Sequence, residues 1–192
     1  EKVKLNRRLR WDIGVLVIGT AALFASFVLD SWFLELFVEL KTPLLDYVFG
    51  WITSVLSLVT VLLVMTTLFM WEEHKRDWIL PLWSAFVFAF IISYAIKFLV
   101  ARERPFEAFQ ILGFEDYSFP STHVAISFSV VPILDREYPM LKWFWIAFAG
   151  LVALSRLYLQ AHYLSDIIAG IMLGYFLGRL ILYLKTNYDL FP

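Results

Sequence analysis

Charged and titratable residues beside long apolar runs are the first features of this sequence with chemical potential, because a charge near lipid is costly and marks a candidate site. They fall in three clusters. Lys97 precedes Arg104-Pro105 by two helical turns, which would set both cations on one face if a helix continued. Pro105 turns the chain away, so Arg104 is expected on the exit loop. A lysine point charge and a planar arginine fork together suit an anion with several oxygens. The second cluster is Pro120-Ser121-Thr122-His123. Ser121 is a candidate N-cap, and the first turn of a helix leaves backbone N–H groups that, with the helix dipole, bind anions. His123 then stands where its ring can give a proton to a group leaving that anion. The third is Ser155-Arg156, then His162, then Asp166. His162 and Asp166 are spaced i, i+4, one face of a helix, and a carboxylate beside an imidazole fixes its tautomer and stabilises the charge that develops when the other nitrogen attacks. Arg156 adds a third cation.

Each cluster also has a plain structural reading: snorkelling Lys97 and Arg104 side chains at a helix end, an interfacial His123, and a buried His162–Asp166 pair that only ties helices together. Gly170, Gly174 and Gly178 continue the four-residue series begun by His162 and Asp166. Small residues at that spacing let helices approach closely in lipid. An intramolecular neighbour would turn the His–Asp pair into the bundle interior; a homodimer seam is the competing reading. His74, between Glu72 and Asp77, reads as a solvated loop side chain, as do Glu103, Glu107, Glu115 and Asp116.

The elements that must position these groups are membrane helices. Of the 192 residues, 61% are hydrophobic, 19% aromatic and 17% charged, against ~45–50% apolar and ~25% charged in a soluble domain. The mean hydropathy is +0.74. Net charge is −1 and there is no cysteine, which argues against a nucleic-acid binder and removes thiol chemistry and cysteine zinc sites. A spanning helix needs about 20 apolar residues. Six runs are expected to qualify, Trp11–Leu29, Trp51–Trp71, Trp78–Val100, Ser121–Tyr138, Met140–Tyr158 and Tyr163–Leu184, giving an all-α, single-domain bundle over residues 1–192. The fourth is the weakest, because it contains Pro132 and reaches length only at Tyr138. The first, despite its basic flank, lacks a small-residue cleavage site and reads as a retained helix. Eleven of the 16 basic residues fall on one side if both termini are cytoplasmic, so N-in, C-in is expected and the three clusters face outward. Trp32, Phe33, Leu36, Phe37 and Leu40 recur at helical spacing opposite Glu35 and Glu39, which suits an interfacial helix over Ser31–Leu40 or an extension of the first span.

Taken together, the clusters resemble the signature of the type 2 phosphatidic acid phosphatase superfamily, shared with vanadium haloperoxidases: Lys-x6-Arg-Pro, Pro-Ser-Gly-His and Ser-Arg-x5-His-x3-Asp. Lys97, Arg104, Pro105, Pro120, Ser121, His123, Ser155, Arg156, His162 and Asp166 match in order; Thr122 stands where the family has Gly. The resemblance implies that His162 attacks phosphorus, oriented by Asp166, and that His123 protonates the departing oxygen. Lys97, Arg104, Arg156, Ser121 and the backbone N–H groups of Thr122 and His123 would hold the phosphoryl oxygens. It implies no metal or other cofactor. Thr122 keeps its N–H but narrows the pocket floor with a β-branched side chain, so altered substrate preference is expected.

The function expected is therefore a membrane lipid phosphatase of the cell membrane, cutting a phosphomonoester or pyrophosphate such as phosphatidate, phosphatidylglycerol phosphate or polyprenyl diphosphate at the outer face. The expected partners are the bilayer and the lipid phosphate, with no nucleic acid. The alternatives are a phosphotransferase that passes the phosphoryl group to an alcohol, a non-enzymatic anion-binding protein, a vanadate-dependent peroxidase, and a zinc site made by His123, His162 and Asp166.

Overall fold

The computed structural model describes residues 2–106 and 117–188. Glu107, Glu115 and Asp116 lie outside the described residues, as do the side chains of His74, Lys2, Lys4, Arg7 and Arg8. Eight α-helices are described: α1 Lys2–Glu39, α2 Pro43–Ile52, α3 Val55–Trp71, α4 Ile79–Val100, α5 Thr122–Ser129, α6 Val131–Glu137, α7 Leu141–Tyr158 and α8 Leu164–Asn187, with a 3-10 turn at Glu73–Trp78. No strand occurs among the described residues.

Four helices are long and apolar enough to cross a membrane, Arg10–Glu39, Lys75–Val100, Leu141–Tyr158 and Leu164–Asn187, and a fifth crossing arises if α2 and α3 form one bent span. The protein is thus a multi-pass integral membrane protein, but the expectation of six spans is corrected. Ser121–Tyr138 is not one long helix. It breaks at Val130, ahead of Pro132, into helices of 8 and 7 residues, each about 12 Å long or less. Its apolar residues face protein: Val124, Ala125, Ile126, Val130, Ile133 and Leu134 are all buried, with α4, α7 and α8 packed around α5.

Of the two readings of Ser31–Leu40, the interfacial helix is corrected and the extension of the first span is observed, since those residues continue α1 to Glu39. Their aromatic side has a partner inside the protein. Phe33 and Phe37 pack with Tyr158, Leu157 and Val124, so the periodic pattern reports a buried helical stripe. The separate short helix is α2, begun by Thr42, whose hydroxyl accepts from the Leu45 N–H at 3.3 Å, and by Pro43 in its first turn.

Helix α8 is the centre of the bundle, packing most extensively on α5 and then on α1 and α4. The glycine stripe explains the intimacy with α5. A Cβ built on Gly174 would fall inside the carbonyl of Ala125, one on Gly178 inside that of Ser129, and one on Gly170 2.8 Å from the carbonyl oxygen of Ser121. Both helices therefore contribute rows of four-residue period, and the glycines serve an intramolecular seam. A large apolar cluster below the seam contains Leu62, Phe69, Leu82, Ile133, Leu134 and Trp145. Trp145 donates its indole N–H to the Ser127 carbonyl at 2.6 Å, which satisfies both groups without water.

The two ends of the bundle differ. At one, Asp12 in the first half of α1 meets Arg179 and Tyr175 in the second half of α8, and Lys75–Glu72 and Arg136–Glu137 pairs lie at the 3-10 turn and on α6. At the other lie the C-terminal turns of α4 and α7 and the N-termini of α5 and α8, which carry the three motif clusters.

Candidate active site

Helix α4 ends at Val100, five residues before Pro105, because Ala101 takes the left-handed conformation (φ 49°) and donates its N–H back to the Lys97 carbonyl. Lys97 is in that last turn and is 3% exposed. Its ammonium donates to the carbonyls of Tyr117 and Ser118, fixing the segment that leads into Pro120. Arg104 is on the loop, as expected, and reaches across to donate to the Ala161 carbonyl at 2.8 Å, next to His162. Arg156 is buried in the last turn of α7 and donates to the Thr53 hydroxyl at 3.3 Å. Ser155 beside it is buried and bonded to its own helix at the Val152 carbonyl.

Ser121 occupies the N-cap position of α5 with extended backbone, but its side chain makes no capping bond. Its backbone N–H instead donates to the Asp166 carbonyl at 3.1 Å, tying the start of α5 to α8. The hydroxyls of Ser118, Ser121 and Thr122 are buried without a hydrogen-bond partner among the described residues. An orphaned buried hydroxyl is expensive. At a helix N-terminus, with first-turn N–H groups still free of intrahelical partners, such hydroxyls suit an oxyanion.

His162 lies in the turn between α7 and α8, two residues before α8 begins, and is 1% exposed. The shared-face reading of His162 and Asp166 is therefore modified. Asp166 is in the first turn of α8, its Oδ2 accepts the Tyr163 N–H at 2.9 Å, and the same oxygen stands 3.4 Å from Nδ1 of His162. The pairing is made by a turn and a helix cap, not by stacking along a helix. That contact is not aligned as a hydrogen bond, and Nδ1 has no other partner among the described residues.

Withdrawal from water, and after it the positive charges of Arg156, Lys97 and Arg104 with a contribution from His123, hold the His162 imidazole well below the ordinary histidine range. His123 is held down likewise, by withdrawal from water first and then by Arg156, Arg104 and Lys97. The positive charges of Lys97, Arg104 and Arg156 thus bear on both imidazoles. Chemically, the arrangement offers a neutral imidazole backed by a carboxylate, cations from α4, α7 and a loop, and the positive end of α5.

His123 and Thr122 also line a cavity of about 270 Å3 with Phe86, Val87 and Phe90 of α4 and Ile126 of α5. Val87 and Phe90 are exposed, so this apolar space opens on the outer surface of the bundle, beside α4 and the start of α5.

Two residues that the sequence reading passed over are part of the site. Arg102 donates to Oδ1 of Asp166 and to Oδ2 of Asp30, each at 2.8 Å. Arg102 falls in no motif position of the sequence. The signal that could have found Asp30 was an acid inside the otherwise apolar first helix, the rare placement that calls for a partner.

Residues 78–189, more than half of the chain, match the PAP2 superfamily. Among curated proteins, an undecaprenyl-diphosphatase of Sulfolobus acidocaldarius is 30% identical over 130 residues, 64% of this chain and 62% of that protein. A decaprenylphosphoryl-5-phosphoribose phosphatase of Mycobacterium tuberculosis is 30% identical over 112 residues, 57% of this chain and 62% of that one. The chain thus spans less than two thirds of the length of these relatives. Two crystal structures share the fold: a PAP2-type phosphatidylglycerolphosphate phosphatase from Bacillus subtilis (TM-score 0.73, 20% identity, 94% of this chain and 98% of that one) and LpxE from Aquifex aeolicus (TM-score 0.64, 24% identity, 81% and 95%).

Proposed function

The chain belongs to the PAP2 superfamily, and on that premise we propose that it is a lipid phosphatase that works through a phospho-histidine at the outer membrane face, with both termini cytoplasmic and the cell membrane as its location. The observation that carries the proposal is geometric: His162, 1% exposed, has Oδ2 of Asp166 3.4 Å from its Nδ1 and Arg104 bonded to the adjacent Ala161 carbonyl, while the buried hydroxyls of Ser121 and Thr122 stand unpartnered among the described residues at the start of α5.

In the first step Nε2 of neutral His162 attacks phosphorus, and the bond to the leaving oxygen breaks as His123 gives that oxygen a proton. Asp166 stabilises the positive charge gained by the His162 ring. Lys97, Arg104 and Arg156, with Ser121 and the N–H groups of Thr122 and His123, hold the equatorial oxygens and their growing charge. In the second step water attacks the phosphorus, His123 takes a proton from it, and the P–N bond breaks to free phosphate. Burial and the three cations keep His123 deprotonated in the absence of an anion; a phosphate dianion among the same cations opposes them and favours the protonated acid.

A lipid substrate is supported by the apolar cavity that His123 and Thr122 line with Phe86, Val87 and Phe90 of the membrane-spanning α4. Polyprenyl diphosphate, a decaprenyl-linked phosphomonoester and phosphatidylglycerol phosphate, the substrates named for the relatives and a structural neighbour, have two features in common: a terminal phosphoryl group and long hydrocarbon chains elsewhere in the same lipid.

The test is phosphate release from a panel of these lipids by purified protein in EDTA, parent against His162→Ala. The parent is expected to turn over without an added alcohol and the variant to lose at least about a thousandfold in rate. Near-parent turnover by the variant removes His162 from the mechanism. Release that needs an acceptor alcohol makes the protein a transferase, and loss of activity in EDTA favours a metal site.

A further inference from the structure

Arg102 lies between the two cations of the first cluster, yet its side chain points away from the phosphoryl side and into a buried acidic pair. One guanidinium nitrogen donates to the Ser165 hydroxyl at 2.6 Å and to Oδ1 of Asp166 at 2.8 Å; the other donates to Oδ2 of Asp30 at 2.8 Å. Asp30 closes the ring by accepting the Ser165 N–H at 2.9 Å and the Ser165 hydroxyl at 2.6 Å. The guanidinium lies over the ring of Tyr163 with 3.9 Å to its centroid and has Phe27 of α1 nearby at 5.4 Å. The Arg102 carbonyl meanwhile accepts the Ser118 N–H at 2.7 Å. One residue therefore touches all three motif segments: its own, the approach to Pro120-Ser121 and the start of α8.

We propose that Arg102, anchored by Asp30, is a positioning residue that aims Asp166 at His162, and that α1 is accordingly part of the catalytic apparatus although it lies outside the family match. The assignment rests on the phospho-histidine reading of the site. Asp166 has two oxygens and three claimants. Arg102 takes Oδ1, and the Tyr163 N–H holds Oδ2 so that Oδ2 is the oxygen facing Nδ1 of His162. Without the guanidinium only the Tyr163 N–H restrains the carboxylate, whose terminal torsion is broad, and the imidazole's partner is held at one oxygen where it had been held at two. Charge makes the same case. Two buried carboxylates and one guanidinium leave a single net negative charge, which matches the single positive charge that the His162 ring gains on attacking phosphorus. Asp30 keeps Arg102 in place: a buried acid on an apolar helix needs a partner, and two charge-assisted bonds from separate nitrogens fix the fork in plane.

The experiment compares Arg102→Ala, Arg102→Lys, Asp30→Asn and the double variant Asp30→Asn/Arg102→Ala with the parent, in detergent micelles, for kcat, KM and inhibition by vanadate and by inorganic phosphate. His162→Ala is the control, and folding is monitored by thermal unfolding. Vanadate mimics the five-coordinate phosphorus bonded to His162, whereas phosphate mimics only the bound anion. Arg102→Ala is expected to lower kcat about 10–100-fold, the size of loss seen when a partner that orients a metal-ligating side chain is removed, with KM changed less than about threefold. Its vanadate inhibition constant should rise in step with the loss of kcat while that for phosphate stays put. Arg102→Lys should recover part of the rate. Asp30→Asn should lower kcat about tenfold, and the double variant should be no worse than Arg102→Ala, because both changes break one linkage. A folded Arg102→Ala protein with parental kcat overturns the proposal, as do losses that multiply in the double variant or vanadate and phosphate constants that rise together. If Arg102→Ala fails to fold, Arg102→Lys and Asp30→Asn carry the same readouts. An inactive His162→Ala beside a fully active Arg102→Ala sinks this assignment alone, whereas an active His162→Ala sinks the phosphatase reading beneath it.

Discussion

Substituting Gly174 by alanine tests how the α5–α8 seam sets the active site. The new Cβ would fall inside the Ala125 carbonyl and 3.0 Å from the Ser129 nitrogen, both backbone groups that cannot swing aside. The helices must separate, by roughly 1 Å to restore ordinary contact, and overpacking of this kind costs about 1–3 kcal/mol. Alanine returns about 1 kcal/mol through its better helix propensity, so the net loss of stability is only about 0–2 kcal/mol and the protein still folds. Activity should suffer more. Gly174 is eight residues, about 12 Å, from Asp166 along α8. Pushing α5 outward carries Ser121, Thr122 and His123 away from His162 and Asp166, and a 1 Å misplacement at a reacting centre is worth about a hundredfold in rate. The expected result is a fall in kcat of about a hundredfold with a melting temperature lowered by only a few degrees, measured on protein in detergent. Gly150 on α7 is the control, because nothing lies within 4 Å of its added Cβ; Gly150→Ala should keep parental kcat. Parental kcat and an unchanged or raised melting temperature in Gly174→Ala would refute the reasoning, since the seam would then not define the distance between the two halves of the site.

Other outcomes follow from the same geometry. The rate–pH profile should be bell-shaped with its acid limb below pH 6.5, because His162 must be neutral and is held below the ordinary histidine range; a flat profile from about pH 5 to 9, with chemistry rate-limiting, would count against paired imidazoles. Stability should also fall on acidification. His162 and His123 bind protons more weakly in the folded than in the unfolded chain, so their contribution is fully present above about pH 6.5 and is lost as pH drops toward the folded values. Thermal unfolding at several pH values reads this, and a melting temperature independent of pH between about 7 and 5 would contradict it. Thr122→Gly should enlarge the cavity wall beside His123 and shift relative kcat/KM among lipid phosphates by about tenfold, a methyl-sized effect in an apolar pocket; equal changes for every substrate would place Thr122 outside the specificity surface.

The segment Ser121–Tyr138 shows where hydropathy misleads. An apolar run buried by protein and one buried by lipid have the same composition, and only the packing of α4, α7 and α8 around α5 distinguishes them. The stripe Phe33–Phe37 left two readings open for the same reason: a helical period names a buried face but not what buries it. Gly170, Gly174 and Gly178 were legible as a close-approach row, and the structure supplied the partner, Ala125 and Ser129 on α5. Ser121 was legible as the start of a helix, while the idleness of its hydroxyl was not, because a capping bond depends on a side-chain torsion that no spacing encodes.

Residue type and spacing alone determined that the chain lives in a membrane and which groups can do chemistry, since apolar content, an imidazole, a carboxylate and three cations are properties of side chains and not of their surroundings. Tertiary structure alone decided that Arg102 and Asp30 belong with Asp166. They come from separate parts of the chain, 72 and 64 residues apart across the two contacts of Arg102, and a buried ion pair at that separation is fixed by how α1 and α8 pack, where removal from water makes each charge depend on the other.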